Sequence, residues 1–560
     1  MIQRKKELPV GISNFDKIIK KGFYYVDKTG LISELLNNTS QVTLITRPRR
    51  FGKSLNMKML EAFFSPDTDK TIFDGLKISQ QKEVCQEYMG KFPVLSISMS
   101  GIQGRTYAAA RQMAVQMINQ SSRRVLTSLS VKEEIDDYDI KLLQRLCSRD
   151  IEDDEVVTSY KVISEILARY YRKDVIILID EYDVPLANAY EMEFYDEMLS
   201  LMRTFFEQTL KSNDNLNLAV LTGCMRISKE SIFTGLNNIN LESLSDKRFS
   251  EYFGFTDNEV KDLLDFYGLS NRYKSVKEWY DGYLFGNTKI YCPWDVISYC
   301  HDLLHDPQLP PRDYWINTSN NYVIRKLIEQ GRNTLVKQEI EQLINGGTIE
   351  KQIRQNITYK EMYDSIDNIW SLLYMTGYLT NEKSTFSINV PLVIPNQEIR
   401  HIFIRQIMDF FEDNLKNDKA NKQLFYEALI SGNTASVELS MNCFLKDIIS
   451  IRDNASVNKE NFYHGILVGI LGGKEGWELS SNKESGGGYY DLCLTSQDRS
   501  LAIILEIKYA KENELDSACD KALKQIELKH YAEPLQKYYT QILKYGIAFH
   551  KKECRVKLVR

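Results

Sequence analysis

What this chain has little of narrows the field first. Nine cysteines are scattered through 560 residues without one Cys-x-x-Cys pair, and there are only six histidines. That argues against a disulfide-stapled fold and a structural zinc site, and it fits a reduced, cytoplasmic protein. Twelve prolines and 28 glycines leave little room for long flexible linkers. Apolar runs such as Val175–Ile179, Leu218–Leu221 and Leu501–Leu505 fall far short of the ~20 residues that span a bilayer. The opening MIQRKKELPV has basic residues but no apolar stretch behind them, so it is not read as a secretory signal. A dominant charge is missing too, with 71 Lys+Arg against 76 Asp+Glu and a net charge of −5. Residues 501–560 reverse that balance, with 12 basic against 8 acidic residues. Such an excess suits either a polyanionic partner or an ordinary solvated helix face.

What is present describes a folded, multidomain protein. Hydrophobic residues make up 43% and charged residues 26%, ordinary values for a globular chain. The length predicts about three to five domains. From Val42 the order is apolar run, basic turn, helix: VTLIT, RPRRFGKS, LNMKMLEAFF. Further short apolar strands at Val94–Ser98, Val175–Ile179 and Leu218–Leu221 alternate with helical stretches such as Tyr107–Gln120 and Tyr160–Tyr171. Strands alternating with helices predict an α/β domain with a parallel sheet. Residues 257–440 read as mostly helical, broken by the proline-rich loop 305–313, and a helix-then-hairpin pattern near 359–392 suggests a winged-helix-like module. From Lys459 a helix, GGGYYDLCL, LAIILEIKY and a long polar helix from Glu514 to Tyr531 predict a second α/β domain. The expected division is 1–250, 251–440 and 441–560.

The stretch Arg47-Pro-Arg-Arg-Phe-Gly-Lys-Ser54 nearly matches G-x-x-x-x-G-K-[ST], with Arg47 where the first glycine is expected. A phosphate cradle needs backbone N–H groups converging at a helix N-terminus, a lysine for the β- and γ-phosphates and a hydroxyl for Mg2+. Gly52, Lys53 and Ser54 meet those needs, and Arg49 and Arg50 add charge-assisted donors for a triphosphate. The strand VIILI ends in Asp180 and Glu181, the acids that hold Mg2+ and orient an attacking water in P-loop NTPases. The two motifs are expected on adjacent-type strands. Thr222, ending LAVLTG, suits a γ-phosphate sensor, and Arg226 an arginine finger in cis or in trans; a helix cap and a surface arginine describe them equally well.

The second constellation is acidic and lies near the C-terminus. Glu506 and Lys508 are two apart on a strand and so share a face. Asp491, on the preceding strand, can reach the same face. Two carboxylates and the Ile507 carbonyl supply hard oxygen ligands for Mg2+ or Mn2+, and Lys508 can position or deprotonate a water for attack on phosphorus. Glu460, opening the upstream helix, completes the ligand set. The downstream helix carries Gln525, Tyr531 and the lysines 521, 524 and 529, which suit phosphate contacts. Gly486–Gly488 are read as leaving the approach uncrowded. An isolated Glu-x-Lys is more often a surface ion pair; the company it keeps here favours chemistry.

The order Asp491…Glu506-x-Lys508…Gln525 resembles the PD-(D/E)xK nuclease superfamily. The phrases LPVGISNFDKI, FYYVDKTGLI, TRPRRFGKS, ILIDEYDVPL, LTGCMRISKESIFTGLNN, LEIKYA and KYGIAF resemble bacterial AAA-ATPase-like proteins that carry such a nuclease domain at the C-terminus. The resemblance implies a P-loop ATPase core of AAA/STAND type, in which arginine at the first loop position is usual. GYLFGNTKIYCPW at 282–294 belongs to the same resemblance but suggests no chemical job. The expectation is an ATP-binding, ATP-hydrolysing protein coupled to a Mg2+-dependent nuclease, cutting DNA ahead of RNA, able to act as a homo-oligomer and away from membranes. The competing reading is a nucleotide-dependent switch or scaffold that binds nucleic acid or protein and cuts nothing.

Overall fold

The computed structural model describes residues 6–130, 136–226, 232–233, 239–315, 322–330, 334–383, 388–417, 419–447, 459–472, 474, 476–511 and 513–560. They fall into two compact units, Met1–Val323 with Thr348–Ile399, and Ile324–Gly347 with Arg400–Arg560.

In the first unit, short and almost wholly apolar segments become the strands of one parallel sheet. They are β1 (Val42–Thr46), β2 (Val94–Ser98), β3 (Val175–Asp180), β4 (Leu216–Gly223) and β5 (Ile239–Glu242), in the order β2-β3-β4-β1-β5. β1 is buried at all five positions and β3 at all but its terminal Asp180. Continuous apolar runs of this kind belong to strands covered on both faces. Helices Lys53–Phe64, Tyr107–Ser130 and Asp153–Tyr171 supply that cover. The expected phosphate-loop and acid-bearing strands, β1 and β3, are not neighbours, because β4 lies between them. A one-dimensional pattern of strands carries no record of their lateral order.

Beyond residue 250 the structure keeps more strands than the fading pattern suggests. β6 (Tyr283–Phe285) and β7 (Thr288–Ile290) form a hairpin ahead of the helix Pro293–His305. β8 (Ile349–Gln352), β9 (Thr380–Asn381) and β10 (Asn389–Val393) form an antiparallel sheet in the order β8-β10-β9. Helix Ile366–Thr376 precedes β9, capped by the Ser365 side chain and closed by Gly377 at φ 87°, so the helix-then-hairpin pattern is real. Strands of two to five residues are too short to display a period of two.

The second unit is built on a five-stranded sheet of β11 (Trp477–Ser485), β12 (Gly488–Ser496), β13 (Leu501–Tyr509), β14 (Gln541–His550) and β15 (Glu553–Val559), ordered as in the chain. Only β13 and β14 run parallel, joined through the helix Leu515–Leu528. That helix packs on one side of the sheet through Ala518, Cys519, Ala522 and Ile526. Ile503, Leu505 and Ile507 bury the other side with helices Lys419–Ser431, Thr434–Asp447 and Lys459–Leu471.

Candidate functional site

The first unit gathers its polar residues at the carboxyl end of the parallel sheet. Thr46 is level with Gly223, and Ile179 with Leu221, so the phosphate-type loop, Asp180 and Thr222 emerge together. That edge is where open α/β sheets bind ligands. Gly52 caps helix Lys53–Phe64 at φ 82°, a left-handed turn that favours glycine. Lys53 is 6% exposed, and its Nζ donates to the carbonyls of Arg47 at 2.9 Å and Pro48 at 2.8 Å. Asp180 accepts from the Thr222 hydroxyl at 2.6 Å, which fixes the acid and commits that hydroxyl. Glu181, at φ 55°, turns into the cavity; burial first, then the Asp180 charge, raise its carboxyl above the usual range.

Arg47 settles the question its position raises. Its side chain is fully buried and points away from the cavity, donating to the carbonyls of Thr46 and Ser243 at 2.8 Å each and of Glu242 at 3.3 Å. Burial pulls the guanidinium down to about 10, still charged at neutral pH. The residue replacing glycine is thus a pin joining the loop to the end of β5.

A cavity of about 720 Å3 opens over the loop, lined by Arg49, Arg50, Gly52, Lys53, Ser54 and Glu181. Pro9, Ile12, Leu55, Trp294, Ile297 and Tyr363 give it apolar walls. The volume lies within the ~300–1,000 Å3 of small-molecule sites, and basic floor with apolar wall matches the two ends of a nucleotide. For a divalent cation the cavity offers the Ser54 hydroxyl, which has no hydrogen-bond partner among the described residues, together with the Glu181 carboxylate; the Asp180 carboxylate, held by Thr222, is not part of the lining. Arg226 stands apart, lining a separate small hollow with Thr46, Ser243 and Tyr374, and its Nε is buried without a partner among the described residues. The residues 227–231 and 234–238 of the LTGCMRISKESIFTGLNN phrase lie outside those described.

Asp183 is a site residue that sequence reasoning missed. Its buried carboxylate accepts the backbone N–H groups of Cys224 and Met225 at 2.9 Å each, tying the end of β3 to the end of β4. Its position three residues after Asp180 was the available signal.

The second unit's site forms at a fork. β12 pairs with β13 only from Leu492 to Thr495, whereas β13 stays paired with β14 to Tyr509. At the split, Asp491 Oδ2 accepts the Ile507 N–H at 2.7 Å. Glu506 is 1% exposed; its Oε1 meets Lys508 Nζ at 3.1 Å and its Oε2 is buried with no partner among the described residues. Burial, then the Asp491 charge, push its carboxyl up to about 7. A buried carboxylate oxygen without a donor is costly unless a cation satisfies it, so the Asp491–Glu506 pair fits a hard divalent ion. Glu460 stands beside them: its Oε1 accepts the Tyr509 N–H at 3.3 Å and its charge acts on Lys508. Among the described residues no three His, Cys, Asp or Glu side chains converge as a ready-made metal centre.

Gln525 donates to the Tyr531 hydroxyl at 3.4 Å rather than to the acidic pair. The glycines do not clear an approach. A Cβ on Gly486 would run into the Lys529 and His530 carbonyl oxygens, and the Gly487 N–H donates to the Lys529 carbonyl at 2.7 Å. They let the β11–β12 turn dock on the end of helix Leu515–Leu528. His464 was missed altogether. Its Nε2 lies 3.0 Å from both the Asp491 carbonyl oxygen and Ser481 Oγ, so it holds the main chain at the fork. Its place one helical turn after Glu460 was the only hint.

Residues 9–233 match the family described as "Predicted AAA-ATPase", and residues 458–558 match the "PD-(D/E)XK nuclease superfamily". The chain is also similar to "Uncharacterized protein in vnfD 5'region" of Azotobacter chroococcum mcd 1, 28% identical over 336 residues, which cover 59% of this chain and 57% of that relative. The match thus spans under two thirds of either protein. No helix among the described residues is long and apolar enough to cross a membrane.

Proposed function

We propose that this chain, which carries a predicted AAA-ATPase domain and a C-terminal PD-(D/E)XK nuclease superfamily domain, binds and hydrolyses ATP at the first and cleaves DNA, ahead of RNA, at the second. Gly52, Lys53, Arg49 and Arg50 take the triphosphate, Ser54 and Asp180 its divalent cation, Thr222 aligns Asp180, and Glu181 orients the attacking water. The cavity's basic floor, the Glu181 carboxylate just past the end of β3 and the apolar walls support this reading. Arg226 serves as a finger toward another copy of the chain, since it lines a different hollow. The functional division follows 1–250, 251–440 and 441–560, and the protein works in the reducing cytoplasm.

The observation that carries the nuclease half is Glu506: buried, paired to Lys508 on one oxygen and bare on the other, beside Asp491. A divalent cation held there supplies charge for the developing phosphorane oxygens. Lys508 holds or deprotonates the attacking water, Asp491 braces the Ile507 main chain, and Glu460 and Gln525 act from the rim. Glu506→Gln keeps volume and removes a ligand charge. It should therefore abolish Mg2+-dependent plasmid cleavage while changing DNA affinity less than about twofold. Lys508→Ala should do the same, and equal cleavage by wild type and Lys508→Ala would remove the assignment. The non-cutting switch predicts that outcome, with DNA binding retained.

A further inference from the structure

The stretch GYLFGNTKIYCPW, which offers no chemistry of its own, folds against the phosphate-type loop. Phe51 of the loop meets Tyr283 edge-on at 4.9 Å between ring centres and Phe285 at 5.1 Å. The Arg47 guanidinium lies 5.5 Å from the rings of Phe285 and Phe253. Cys292 Sγ approaches the Arg50 carbonyl at 3.8 Å, and the Arg50 guanidinium lies 4.3 Å over the Trp294 ring. Arg50 itself is held at φ 72°, a left-handed conformation that a non-glycine residue keeps only where its surroundings impose it. The loop's shape is therefore set from outside, by a hairpin and a helix start more than two hundred residues later in the chain.

Resting on the nucleotide reading above, we propose that this aromatic segment does the work of the glycine absent at position 47, and that Trp294 is a positioning residue that presents Arg50 to the triphosphate. A guanidinium stacked by its face keeps its in-plane N–H donors free, which is the geometry that phosphate oxygens need. Arg50 and Trp294 both line the cavity, and among the described residues no carboxylate or carbonyl takes the Arg50 side-chain donors. A lone surface arginine would lose most of its rotamer freedom on gripping a phosphate; stacking removes part of that loss in advance.

Calorimetric titration of the full chain with ATP and with ADP tests this. Arg50→Gln should weaken ATP binding about tenfold and ADP binding less, and Trp294→Leu should weaken ATP binding by about threefold to tenfold. The double variant should bind no more weakly than Arg50→Gln alone, since both changes remove one interaction. Trp294→Tyr should recover most of the loss, giving the order Trp, Tyr, Leu. Melting of the nucleotide-free variants checks folding, and the Trp–Tyr pair decides the matter if Trp294→Leu does not fold. Losses that multiply, or a flat series at position 294, overturn this inference alone. A wild-type chain that binds no ATP overturns the nucleotide reading beneath it.

Discussion

Arg47 shows how one side chain inverts a motif's apparent defect. A consensus repair, Arg47→Gly, would match the familiar loop pattern yet strip hydrogen bonds from the Thr46 and Ser243 carbonyls and empty the space between Phe253 and Phe285. We expect it to destabilise the first unit by about 2–4 kcal/mol in urea unfolding and to weaken ATP binding rather than improve it. Asp295 and Glu398 make a second residue-scale case. Each is 1% exposed; Glu398 accepts the Trp315 N–H at 2.6 Å, Asp295 Oδ1 has no hydrogen-bond partner among the described residues, and burial foremost holds both carboxyls above the usual range. An acid that keeps its proton in the fold and loses it on unfolding makes the fold weaker as pH rises from the ordinary carboxylate range toward neutrality. Asp295→Asn keeps a hydrogen-bonding side chain and removes the ionisation. The urea midpoint followed by tryptophan fluorescence should therefore fall less between about pH 5 and about pH 7.5 in the variant than in wild type. A parallel decline in both proteins would mean the pair is not the source.

Elements carry the geometry that single residues cannot. The β11–β12 turn docks through Gly486 at φ 58°, where an added Cβ meets two carbonyl oxygens, whereas at Gly487 the nearest atom is Lys529 O at 3.7 Å. Gly486→Ala should therefore cost about 1–3 kcal/mol in thermal melts of the second unit, and Gly487→Ala nearly nothing. Equal effects would show that the turn is not held by this contact. Much at this scale was legible in the sequence. VTLIT, VIILI and LAIILEIKY become buried strands, the second ending in Asp180 and the third carrying Glu506 and Lys508 near its end, because an apolar run that stops at charge has few other ways to fold. What stayed hidden depends on lateral neighbours: β4 inserted between β1 and β3, Arg47 reaching carbonyls near residue 243, and Asp183 and His464 fastening loops to strands. Nothing local in the sequence marks such contacts, and the short β6–β10 strands offer too few residues for any period to register.

At the scale of the whole molecule, one chain joins a region matching a predicted AAA-ATPase to a region matching the PD-(D/E)XK nuclease superfamily. In the second unit a buried carboxylate on a strand meets a lysine directly, Glu506 with Lys508 at 3.1 Å; in the first, Lys53 is held by the Arg47 and Pro48 carbonyls and its charge acts on Glu181. We propose that nucleotide occupancy of the first governs cutting by the second. The direct measurement is the rate of Mg2+-dependent DNA cleavage by wild type and by Lys53→Ala, each with and without ATP. ATP should change the wild-type rate by at least about fivefold and leave Lys53→Ala unchanged. Cleavage that responds to ATP equally in both proteins, or in neither, would contradict it.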